Sequence, residues 1–137
     1  MPYQTIDHTA DIGIAVQADN LEALFMEAAR AVSALIFGQR TLAAAETVTI
    51  AVKGSDWPDL IINWLRELLF LWNGENRIIG PVAIRKIEPF TLKATVPVDN
   101  TPCDPLDIFN EIKAVTYHAI EVEQKDGGWQ ARIIFDI

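Results

Sequence analysis

The residues able to do chemistry are few, and they cluster near the two ends of the 137-residue chain. Near the start stands Asp7-His8-Thr9-Ala10-Asp11-Ile12-Gly13, and at the end Phe135-Asp136-Ile137. The sequence stops inside an alternating apolar stretch, which predicts that the terminal carboxylate is held by a sheet rather than carried on a frayed tail. The Asp136 side chain and the α-carboxylate of Ile137 are one residue apart. Their oxygens are near enough to converge on one hard cation, which takes oxygen ligands at about 2.0–2.6 Å. One more carboxylate completes a divalent-cation site, and Asp7 and Asp11 compete for that place. In an extended segment they stand about 13 Å apart at roughly 3.3 Å per residue, so only one touches a given ion. Asp11 abuts the strand predicted from Ile12 to Val16 and is the better candidate, because a ligand at the edge of a regular element is held more rigidly. The competing reading of the same acids is as solvated strand ends and turn formers.

Other chemical signatures are absent from the sequence. It contains no Gly-rich phosphate loop, no nucleophile elbow and no His-Glu-x-x-His pair, and His8 and His118 are far apart with neither in a metal motif. His8 reads as a structural hydrogen-bonding partner, and Cys103 as a small apolar filler or an inert surface thiol. An enzymatic alternative is a metal-dependent hydrolase built on Asp7, His8, Asp11 and Asp136, with the metal generating hydroxide. It needs an open coordination position and a substrate pocket, and the sequence signals neither.

Two helices and about six strands must position these groups. Leu21, Leu24, Phe25, Ala28, Ala29, Val32, Leu35 and Ile36 recur at helical spacing, with Asn20 placed to cap the start and Gly38 to end it. A second helix is predicted from about Trp57 to Trp72, with Ser55 or Asp56 as cap, Pro58 in the first turn and Gly74 as stop. Its apolar residues cover more than one stripe, so most of its circumference is expected to be buried. Trp57, Trp64 and Trp72 follow helical spacing and read as core; Trp129 reads as a surface contact beside a hairpin.

Period-two alternation marks Ile12 to Val16, Val48 to Val52, Val82 to Ile87, Leu92 to Val96, Val115 to Glu123 and Trp129 to Ile137 as strands. Pro89 bends the chain after the third, and Asp126-Gly127-Gly128 has the chemistry of a tight hairpin turn. Asp99 to Asn110 is predicted as a loop with one helical turn at most. The expected class is α+β, a two-layer fold with a mainly antiparallel sheet of about six strands and both helices on one face.

Composition narrows the function. Nineteen acids against 11 Lys and Arg give a net charge of −8. Affinity for nucleic acid comes mainly from cationic side chains replacing counterions, so sequence-independent binding of RNA or DNA is not expected. The single cysteine rules out an intramolecular disulfide and a Cys-based zinc site. Met1 to Asp11 lacks the pattern of a signal peptide, and the apolar stretch Leu60 to Trp72 is too short to span a bilayer. No repeat or linker divides the chain. The expectation is one domain over residues 1–137, cytoplasmic, with no membrane contact.

Four motifs together resemble the archease family. They are Asp7-His8-Thr9-Ala10-Asp11-Ile12-Gly13-Ile14, Leu21-Glu22-x-Leu-Phe-x-x-Ala-Ala, Ile112-Lys113-Ala114-Val115-Thr116-Tyr117-His118, and the closing Ile134-Phe135-Asp136-Ile137. The resemblance covers essentially the whole chain. It implies a non-catalytic cytoplasmic activator of the RtcB-type tRNA-splicing RNA ligase, promoting ligase guanylylation and multiple turnover. It also implies a divalent-metal site, which by motif falls on Asp11, Asp136 and Ile137, the set the residues favoured independently. Ca²⁺ is the first choice for these oxygens, with Mg²⁺ or Mn²⁺ as alternatives. Lys113, Thr116, Tyr117 and His118 match the family block, and a structural role in the sheet stands beside a role in partner contact. A general protein chaperone is the remaining alternative.

Overall fold

The computed structural model describes residues 3–7, 11–38, 45–75, 77–99, 104 and 108–137. Their order is β1 (Tyr3–Asp7), β2 (Asp11–Ala18), α1 (Leu21–Phe37), β3 (Ala45–Lys53), α2 (Trp57–Glu75), β4 (Ala83–Glu88), β5 (Thr91–Asp99), β6 (Ala114–Lys125) and β7 (Gly128–Asp136). The class is α+β, as the alternation predicts, and every strand pairing is antiparallel. Two features correct the expectation. There are seven strands rather than about six among the described residues, because Tyr3–Asp7 pairs with β2. They also form two sheets rather than one, in the orders β1-β2-β7-β6 and β3-β5-β4.

Both helices form where apolar spacing places them. Asn20 accepts the Ala23 N–H at 2.8 Å, and Gly38 ends α1 with φ 69° while its N–H reaches the Ala34 carbonyl. Asp56 caps α2, accepting the Asp59 N–H at 2.8 Å; the helix continues through Gly74 to Glu75, one residue beyond the predicted stop. Each helix bridges the two sheets, α1 packing on β2, β7 and β4, and α2 on β6, β3 and β5. The core between them includes Ile14, Val16, Phe25, Val32, Leu60, Trp64, Leu68, Val96, Ile133 and Phe135. Burial of α2 extends to Ile61, Ile62, Leu65 and Trp72, as expected of a helix apolar on most sides. The Trp64 indole donates to the Phe25 carbonyl at 3.0 Å, tying α2 to α1 inside the core. Trp129 is not an isolated surface contact: its ring meets Trp57 edge-on at 6.3 Å. No helix among the described residues is long and apolar enough to cross a membrane.

The predicted C-terminal hairpin closes on Asp126-Gly127, with Lys125 opposite Gly128. Both turn residues have positive φ, 52° and 80°, the two-residue turn that matches strand twist. That turn fixes the register of β7 and therefore where its last residues fall. His8, Cys103 and most of the Asp99-to-Asn110 loop lie outside the described residues.

Candidate metal centre

Strand register builds the acidic site. Asp11, first residue of β2, is the cross-strand partner of Asp136, last residue of β7. Directly opposed residues of antiparallel strands have Cα atoms about 4.5–5.5 Å apart and side chains on the same face. Ile12, Ile14, Ile133 and Phe135 are buried in the core, so alternation puts Asp11 and Asp136 on the opposite, outer face. One position along on that face, Gly13 and Ile134 are opposed and both are buried. The acids therefore border a closed apolar surface on one side and open outward on the other, where Asp136 and Ile137 are exposed. The Asp136 carbonyl accepts the Lys113 N–H at 2.8 Å, and Ala114 of β6 pairs with Asp136 from the other side. Backbone bonds from two neighbours thus hold the strand to Asp136, its last residue, and Ile137 follows immediately outside the strand.

The chemistry of the donor set fits a cation. Asp11 Oδ1 is buried and has no hydrogen-bond partner among the described residues. A buried carboxylate oxygen left unpaired is costly, and two carboxylates directly opposite one another repel. A divalent cation would answer both conditions, and Asp11, Asp136 and the Ile137 carboxylate are the oxygens that could hold it. Among the described residues no three His, Cys, Asp or Glu side chains group as metal ligands; the candidate set has two such side chains and a main-chain carboxylate.

The separation of about 13 Å expected for Asp7 and Asp11 in an extended segment is not found: β1 and β2 pair antiparallel with Asp7 opposite Ile12. The structure brings the backbones of Asp7 and Asp11 near each other at one end of the four-stranded sheet. A surface depression of about 200 Å³, lined by residues that include Asp19, Lys125, Asp126 and Trp129, contains neither Asp11 nor Asp136. It lies at the far end of the same sheet.

A second polar cluster sits where β6 meets α2. Tyr117 Oη donates to Asp59 Oδ1 at 2.6 Å, and the Ser55 backbone N–H donates to Asp59 Oδ2 at 2.9 Å. The Arg66 guanidinium lies 5.0 Å from the centre of the Tyr117 ring, a cation over an aromatic face. The hydrogen bond from Tyr117, followed by that from Ser55, holds the Asp59 carboxyl below the usual carboxylate range. The same bond to Asp59 raises the Tyr117 hydroxyl above the usual phenol range. Thr116 donates to the Ile134 carbonyl at 3.1 Å and accepts the His118 N–H at 3.3 Å. Ladder pairing then breaks between Thr116 and Glu121, with Ala119 at φ 53°. The bulge carries Tyr117 out of the ladder toward α2. Sequence reasoning missed Asp59 and Arg66, since no spacing connects residues 58 and 51 positions from Tyr117.

Comparison with known proteins agrees with this architecture. The Archease protein family (MTH1598/TM1083) matches residues 3–137. The chain is 31% identical to a Methanopyrus kandleri protein named Protein archease over 140 residues, covering all of both chains. It is 32% identical to a Pyrococcus abyssi protein of the same name, over 98% of each. The solution structure of Methanobacterium thermoautotrophicum protein 1598 superposes with a TM-score of 0.77 at 28% identity, covering 99% of each chain. The crystal structure of a Thermotoga maritima archease, described as a possible chaperone, shares the fold with a TM-score of 0.64 at 21% identity, over 98% of this chain and 96% of the other.

Proposed function

Because the chain belongs to the archease protein family, we propose that it is a non-catalytic activator of an RtcB-type tRNA-splicing RNA ligase, acting through a divalent cation held by Asp11, Asp136 and the Ile137 carboxylate. The observation that carries the reading is the cross-strand pairing of Asp11 with Asp136, with Asp11 Oδ1 buried and unpartnered. Bound there, Ca²⁺, or Mg²⁺ or Mn²⁺, supplies positive charge to an otherwise anionic sheet end. The chain's own contribution is rigidity. The β2-β7-β6 ladder and the Lys113 N–H fix the Asp136 backbone, so the acidic end presents one geometry to a partner. Docking near the ligase active site would favour the ligase conformation that accepts GMP or help deliver a metal ion, in either case through differential affinity for one ligase state.

The deciding experiment adds the chain to the ligase with GTP and a divalent metal and follows guanylylated ligase. Faster guanylylation and more turnovers per ligase are expected; unchanged rates defeat the reading. Appending residues after Ile137 displaces the terminal carboxylate, so metal affinity and activation should fall together while the fold persists.

A general chaperone is the second reading, favoured by two exposed aromatic rings, Phe70 at 70% and Phe109 at 71%, and by the description of the Thermotoga maritima relative. It requires that the chain suppress aggregation of unrelated clients without metal.

A further inference from the structure

The outer face of the three-stranded sheet carries a charge opposite to that of the whole chain. Lys86 of β4 is directly opposite Lys93 of β5, Lys93 is opposite Ala51 of β3, and Lys53 is opposite Thr91. Leu92 and Ala94, which alternate with Lys93, are buried, so the lysines stand on the face turned from the core.

Arg85 joins them through a bulge. Ile84 pairs with Ala94 and Lys86 with Lys93, which leaves Arg85 as an extra residue without a partner on β5. Alternation from core-facing Ile84 puts Arg85 outward, and the bulge then puts Lys86 outward as well, so two consecutive cations share the face. The Arg85 Nε donates to Thr95 Oγ1 at 3.1 Å, and Thr95 belongs to the outer face. Four of the chain's 11 basic residues thus share one sheet face. Among the described residues, Glu88, 3.3 Å from Lys86, is the one exposed acid at an outward position of these strands.

Folding alone does not favour this pattern. Like charges directly opposite one another destabilise a sheet, and a bulge interrupts its ladder. The arrangement instead concentrates positive charge beside one hydroxyl: Lys53, Lys86, Lys93 and Thr91 are among the residues lining a shallow depression of about 190 Å³. Three of the four cations are lysines, compact point charges of a kind that binds phosphate oxygens. The cations run across three adjacent strands, so they match a linear polyanion. No outward residue of β3, β4 or β5 is aromatic, so no base-stacking platform accompanies them.

We propose that this face binds the sugar–phosphate backbone of an RNA strand, independently of its sequence. That the polyanion is RNA rests on the ligase reading above; the demand for an anionic partner rests on the face itself. With the chain's net charge of −8 opposing it, the contact is weak at physiological salt and steadies RNA presented by a partner.

The test titrates a fluorescein-labelled oligouridylate with the full chain across a KCl series, reading anisotropy. Binding at low salt is expected, with log affinity against log salt falling at a slope of about −2 to −3, since each neutralised phosphate of a single strand contributes about −0.7. Each Lys→Gln change at Lys53, Lys86 or Lys93 should flatten the slope by about 0.7, and the triple variant should bind at least about tenfold more weakly at low salt. Its thermal midpoint should be unchanged or higher, because opposed like charges are removed. Asp11→Asn should bind RNA as wild type does, so failure of the metal reading and failure of this one are separable. Absent binding at low salt overturns the proposal, as does equal binding by the triple variant. So does a triple variant that loses ligase activation with RNA binding intact, which would assign the face to a protein partner.

Discussion

Tyr117 and Asp59 share one short hydrogen bond, 2.6 Å from Oη to Oδ1, that joins the bulge of β6 to the first turn of α2. Its pH limits follow from the directions in which the two groups are shifted. Asp59 titrates below the usual carboxylate range, so the stability it contributes is present above that range and is lost as pH falls through the depressed value. Tyr117 titrates above the usual phenol range, so its contribution is present below that range and is lost as pH rises through the raised value. The difference in thermal midpoint between wild type and Tyr117→Phe should therefore be largest between the two limits and shrink at both extremes. In Tyr117→Phe the Asp59 carboxyl should titrate closer to the usual range, read by carbon NMR, while the Ser55 N–H keeps part of the depression.

The opposed acids predict a metal-dependent stability. A ligand that binds only the folded state at about 100 times its dissociation constant stabilises by about 2.7 kcal/mol, a shift on the order of 10 °C for a domain of this size. Saturating Ca²⁺ should raise the thermal midpoint on this scale, and a chelator should reverse it. Asp11→Asn should lose most of the metal-induced shift. Without metal, the same variant should be at least as stable as wild type, because it removes a buried unpaired carboxylate oxygen and its repulsion with Asp136. A variant that loses stability without metal and keeps the full shift with it would show that Asp11 is not a ligand.

What the sequence made legible was local. Helical spacing and the capping chemistry of Asn20 and Gly38 located α1, and Asp126-Gly127 located the turn that sets the register of β7. The acidic pair was reachable because one partner abuts a predicted strand start and the other lies in a predicted strand end, so their union needed only an antiparallel pairing. The division into two sheets was not reachable, because alternation marks a strand without naming its neighbours. Tyr3–Asp7 escaped for a related reason, since Tyr3-Gln4-Thr5-Ile6-Asp7 has too few apolar positions to alternate. The joining of Tyr117 to Asp59 and the placing of both Arg85 and Lys86 on one outer face depend on bulges. A bulge is an insertion relative to the partner strand, and one strand's sequence does not show it.

Capping by Asn20 should be measurable by itself. Its side chain accepts the Ala23 N–H at 2.8 Å, and both ends of that bond are exposed, so Asn20→Ala removes a helix cap without opening a cavity. The expected loss is about 1 kcal/mol, or roughly 3–5 °C in thermal midpoint. Asn20→Ser should recover most of the loss.

Gly54 links the end of β3 to the start of α2, and its lack of a side chain is what allows the approach. A Cβ built there would lie 2.5 Å from the Leu60 nitrogen and 2.8 Å from the Leu60 Cα, both backbone atoms of the first helical turns. The Gly54 N–H also donates to the Phe90 carbonyl at 3.0 Å, so the residue cannot retreat without breaking that bond. Gly54→Ala must therefore displace α2 rather than a flexible side chain, at a cost of about 1–3 kcal/mol. Because Asp59 sits in the displaced turn, the variant should also move the Asp59 and Tyr117 titrations toward their usual ranges, seen by NMR in the same sample. A stable Gly54→Ala variant with unshifted titrations would mean that the start of α2 yields without disturbing its contact with β6.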